Sequence, residues 1–94
     1  MSKTTKILDE VLAERRHQDN KWGYPQPAMT DPLHAHAILA KEVGEAAEAV
    51  VEMASAGQTP YGVEAWSADL RAELVQVAAV AVSWIEHLDM EKKP

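Results

Sequence analysis

Glu42 and Glu45 stand three residues apart in KEVGEAAEAVVE, and Glu73 and Gln76 repeat that spacing in RAELVQ. On a helix, side chains at i and i+3 share a face, so each pair can present its oxygens to one centre. Should the two pairs meet, three carboxylates and a carboxamide converge. Like charges brought together away from bulk water either take up protons or recruit a cation. A set made only of hard oxygen donors suits Mg²⁺ or Mn²⁺ better than zinc. An acidic pair of this kind also flanks the core stripe of many ordinary helices, so spacing alone leaves both readings open.

The elements that carry these residues decide whether they meet. At about 100° per residue, Leu39, Val43, Ala46, Val50 and Met53 form one narrow apolar seam, with Glu42 and Glu45 roughly 60° and 120° to one side. Lys41, Glu48 and Glu52 fall near the opposite pole and read as a solvated face. Later in the chain, Leu70, Leu74, Val77, Ala81, Trp84 and Leu88 form a second seam. Glu73 and Gln76 hold the same two flank angles beside it. Antiparallel packing of the two seams would bring the polar flanks together along one edge.

Punctuation cuts the 94 residues into three helices in a single domain spanning 1–94. The first is predicted from Thr4 to Asn20 and ends where Gly23, Pro25 and Pro27 interrupt helical geometry. Asp31 as N-cap and Pro32 as first helical residue open the second, which runs to Ala56 and stops at Gly57. GQTPYGVEAW reads as a loop. The third helix is predicted from Ser67, a capping hydroxyl ahead of Asp69, to Met90. Alanine, glutamate and leucine dominate and phenylalanine is absent, which favours an all-α fold.

Composition narrows the function classes. A net charge of -6 without a basic run disfavours duplex nucleic acid. The absence of cysteine removes disulfides, thiolate zinc sites and cysteine nucleophiles. No apolar stretch is long enough for a bilayer and the start lacks a signal core, so a cytoplasmic protein with no membrane association is expected. His34 and His36 point about 200° apart on a helix and do not share an ion. His17 and His87 are isolated.

EVGE at 42–45 followed by ELVQ at 73–76 resembles the ExxE…ExxD signature of the MazG-like, all-α nucleoside triphosphate pyrophosphohydrolases. ERRHQDNKWG at 14–23 is similar to the basic, tryptophan-containing segment ahead of the first acidic helix in small bacterial and phage members. The resemblance implies a helical bundle completed by oligomerisation as a homodimer or tetramer. It also implies Mg²⁺ held by Glu42, Glu45, Glu73 and Gln76, with Mn²⁺ as a substitute, and the three glutamates as the catalytic set. The implied reaction cleaves a nucleoside triphosphate between its α and β phosphates, giving a monophosphate and pyrophosphate.

Two positions depart from that pattern. Lys41 replaces a frequent leading glutamate but points away from the ligand flank. Gln76 stands where the family carries aspartate; its carboxamide oxygen can ligate Mg²⁺ yet adds no charge and takes no proton. Asp69, one turn before Glu73 on the same flank, is a compensating ligand or else a first-turn acid favoured by the helix dipole.

For substrate, Arg15 lies in the apolar stripe of Leu8, Val11 and Leu12, where its guanidinium needs a phosphate or an acid such as Glu45. Lys21 and Trp22, read as the start of the loop, offer a cation for phosphate and an indole for base stacking. The third helix is apolar on nearly all sides, which predicts burial in a symmetric assembly. The alternative function is a catalytically silent helical dimer that binds a nucleotide or a protein partner.

Overall fold

In the computed structural model, described for residues 2–56 and 60–91 with the side chains of 53, 54, 56, 60–67 and 91 excepted, the chain is all-helical. Three long helices, α1 (Lys3–Trp22), α2 (Pro32–Ala56) and α3 (Pro60–Glu91), are joined in part by a 3₁₀ turn at Pro27–Thr30. No strand occurs among the described residues.

The caps explain most boundaries. Ser2 Oγ accepts from the Thr5 N–H at 3.1 Å and opens α1. The helix closes at Gly23, whose φ of +88° suits glycine and whose N–H donates to the Asp19 carbonyl at 2.8 Å. Asp31 Oδ1 accepts from the Leu33 N–H at 3.0 Å ahead of Pro32, so α2 begins where the sequence predicts. Its predicted stop at Gly57 lies outside the described residues.

Two expectations are corrected. Helix α1 continues to Trp22, so Lys21 and Trp22 belong to its last turn and not to a loop. Helix α3 starts at Pro60, seven residues before Ser67, which makes most of GQTPYGVEAW helical. Proline is well placed at a first helical position, because its missing N–H would have no intrahelical partner there. Gly62 costs only about 1 kcal/mol inside a helix, too little to break one that continues through VEAW.

Helices α2 and α3 pack antiparallel, with Ala35 and Val80 in one layer and Glu42 and Glu73 in another, and α1 packs against α3. The core holds Met29, Ala35 and Val80, with Ile38, Leu39 and Trp84 packed around them. Ala35, Ala46, Ala49 and Ala79 are all buried. Such small side chains allow helix axes to approach to about 8 Å. The radius of gyration is 15.5 Å, against about 12 Å for a compact chain of this length. The elongation leaves apolar surface uncovered.

Candidate metal centre

Helix α2 buries a stripe that differs from the seam drawn from the sequence. Ala35, Ala46 and Ala49 are buried and Ile38, Leu39, Glu42 and Glu45 half-buried, whereas Val43 and Val50 are 50% and 44% exposed. The contact face is turned toward the glutamates. Glu42 therefore sits near the middle of the stripe and not at its margin. On α3 the corresponding stripe carries Glu73, Gln76, Val80, Ser83 and His87, with Leu74 and Leu88 left largely outside. Two helical turns from the layer where Ala35 and Val80 join the core, the facing positions are Glu42 and Glu73.

There the three glutamates come together. One carboxylate oxygen from each of Glu42, Glu45 and Glu73 lies within 4.8 Å of the others. An octahedral shell at about 2.1 Å from Mg²⁺ sets its oxygens about 3–4 Å apart, so the three need only a small inward adjustment. Oε2 of Glu42 and Oε2 of Glu73 are buried and accept no hydrogen bond. A buried oxygen without a donor is costly, and a cation would satisfy both. The residues present thus fit a hard divalent ion.

Electrostatics agree with the geometry. Burial pushes the Glu42 carboxyl above its ordinary value, and the charge of Glu45 adds to the effect, with Lys41 opposing it and Glu14 reinforcing it. Burial also raises Glu73, followed by the influence of Glu45, then Glu42 and Asp69. The charge of Glu45 thus makes both Glu42 and Glu73 harder to ionise.

Two further acids bear electrostatically on Glu42 and Glu73. Asp69 acts on Glu73, as its place one turn earlier predicts. The charge of Glu14 on α1 bears on Glu42, an influence that helix spacing on α2 and α3 does not contain. Glu14 belongs to the buried stripe of α1, beside Val11, Arg15 and Gln18, and its Oε2 accepts from Gln18 Nε2 at 3.3 Å. The signal available in the sequence was the i,i+3 spacing of Val11 and Glu14. Gln76 is half-buried and lines a groove between α1 and α3, with Glu14 opposite.

The remaining predicted residues lie elsewhere. Arg15 is 5% exposed, and all three guanidinium nitrogens donate to protein carboxylates: Nε and Nη2 to Glu86 at 2.9 and 2.6 Å, Nη1 to Asp19 at 2.8 Å. Gln26 Nε2 also donates to Asp19, at 3.1 Å. The acids that hold Arg15 are thus Asp19 and Glu86 and not Glu45. Lys21 and Trp22 are exposed and paired with each other, the ammonium 5.0 Å from the indole centroid. They stand about 12 Å along α1 from Glu14. His34, His36 and His17 are exposed, whereas His87 is buried and its Nδ1 faces the Ser83 carbonyl at 2.9 Å.

No family model, curated protein or solved structure matches this chain. Among the described residues, no helix is long and apolar enough to cross a membrane.

Proposed function

We propose that the protein is a Mg²⁺-dependent nucleoside triphosphate pyrophosphohydrolase of MazG-like type. The observation that supports this reading is the meeting of Glu42, Glu45 and Glu73 with two buried, donorless oxygens among them. Glu42, Glu45 and Glu73 would hold the ion, and Gln76 or Asp69 would complete its shell. When bound, the ion supplies positive charge to phosphate oxygens and to a reacting water. The chain holds the carboxylates on two packed helices, and one of them accepts the proton of the water. Lys21 and Trp22, exposed at the end of α1, are proposed to meet the outer part of the nucleotide.

The proposal includes self-association. Leu74, Ala78, Ala81, Ile85 and Leu88 recur at alternating steps of four and three along α3. Leu74, Ile85 and Leu88 are 53%, 56% and 42% exposed. An apolar stripe with this repeat on an uncovered helix face is the seam of a helical pair. The exposed Val43 and Val50 of α2 extend it, and a second copy laid on this face would complete a four-helix bundle.

Pyrophosphate release from a panel of ribo- and deoxyribonucleoside triphosphates tests the activity. Release should require Mg²⁺ or Mn²⁺, stop with chelator, and vanish in Glu73→Ala. Silence across the panel from folded protein would reject hydrolysis and favour a nucleotide-binding dimer.

A further inference from the structure

Helices α1 and α3 flank an open surface groove of about 530 Å³. Glu14 and Gln76 line it, and Gln76 stands one turn after Glu73 of the cluster, on the same helix. The groove therefore adjoins the glutamate cluster. Its walls include Ala13, Ala72 and Val75, small side chains that leave room for a ligand.

Among the described residues, one cation lines this groove. Arg71 donates through Nη1 to Glu10 Oε1 at 2.7 Å and through Nη2 to Glu10 Oε2, a two-pronged pair at the surface. Both side chains are about half exposed, at 54% and 45%, and exposed pairs of this kind hold weakly. A guanidinium arranged to grip one carboxylate in this way fits two phosphate oxygens equally well. Arg71 and Glu73, two residues apart, leave α3 about 200° from each other. They would grip different parts of an extended anion, with Glu14 and Gln76 between them.

We infer that the α1–α3 groove is a polyphosphate subsite in which Arg71 exchanges Glu10 for a phosphate group of a ligand whose metal-bound end rests on Glu42, Glu45 and Glu73. The inference depends on the metal reading above. Glu10 acts as a stand-in anion that holds Arg71 in place when the groove is empty. Binding trades a weak surface pair for a charge-assisted contact with a more highly charged group.

The test uses inorganic tripolyphosphate in Ca²⁺, titrated calorimetrically, with Mn²⁺ affinity measured separately on the same variants. Arg71→Gln should weaken tripolyphosphate at least tenfold and leave Mn²⁺ affinity unchanged. Glu10→Gln should tighten it about threefold, because the competing anion is gone. Arg16→Gln, an exposed arginine on the other groove of α1, controls for net charge and should change neither. Equal effects of Arg71→Gln and Arg16→Gln, or weakening by Glu10→Gln, would overturn the subsite while Mn²⁺ binding still stood. Failure of the parent protein to bind Mn²⁺ would overturn the metal reading and the subsite together.

Discussion

Arg15 reaches Glu86 at 2.6 Å across 71 positions of sequence and grips Asp19 on its own helix at 2.8 Å. The buried guanidinium thereby fixes where α1 lies on α3, and with it which residues of α1 face the α1–α3 groove. Removing it would leave Glu86 and Asp19 without their cation, although both are partly exposed at 42% and 27%. Arg15→Leu is expected to cost about 1–3 kcal/mol, below the 3–5 kcal/mol typical of fully buried pairs because solvent screens the acids. Urea unfolding with an unchanged m-value checks the figure.

The glutamate cluster makes the metal-free protein pH-sensitive. Glu73 titrates above its ordinary value, so the favourable contribution of its protonated form is fully present below about pH 4.5 and is lost as pH rises through the raised value. At pH 7 the charge is a burden. Glu73→Gln should raise the melting temperature in chelator at pH 7, by about 4–8 °C if 1 kcal/mol is relieved, and give no gain near pH 4. Asp19 runs the opposite way, held below its ordinary value by Arg15 despite burial, and its stabilisation fades on acidification. Comparing the two proteins at each pH removes that contribution.

Gly44 lies inside the EVGE motif, yet a Cβ built there meets nothing within 4 Å. No close approach requires glycine at this position, and helix propensity opposes it. Gly44→Ala should stabilise the chain by about 0.5–1 kcal/mol without weakening Mn²⁺ binding. Thermal melts with and without the ion check both parts.

The uncovered stripe on α3 carries the prediction of self-association. Ile85→Lys, placing a charge at a position 56% exposed in the single chain, should leave helicity unchanged and shift sedimentation of the protein from dimer to monomer at micromolar concentration. A parent protein that sediments as a monomer would refute the assembly.

Much of this arrangement was legible from residue spacing. The i,i+3 spacing put Glu42 beside Glu45 and marked Glu73 as the residue they would meet if the two helices packed antiparallel, because helical geometry fixes which side chains on one helix neighbour each other. Asp31 with Pro32 marked the start of α2 through backbone groups that need a cap. What spacing did not supply was rotation. Val43 and Val50 looked like core, but alanines let the helices meet on the adjacent stripe, which carried the glutamates into the interface. The start of α3 was missed because proline and glycine in PYG serve turns and helix starts alike. The surroundings of Glu14 and the partners of Arg15 depend on how α1 packs on α3, a tertiary relation that periodicity within one helix does not contain.

The most direct test of the central claim is Mn²⁺ binding, read by the loss of the free-ion electron paramagnetic resonance signal, in the parent protein and in Glu45→Gln. Glu45 is chosen because it stands in the cluster with both Glu42 and Glu73. Saturable binding is expected in the parent protein and at least tenfold weaker binding in the variant, with both equally helical. Equal affinity in the two proteins, or no saturable binding in either, would contradict that claim.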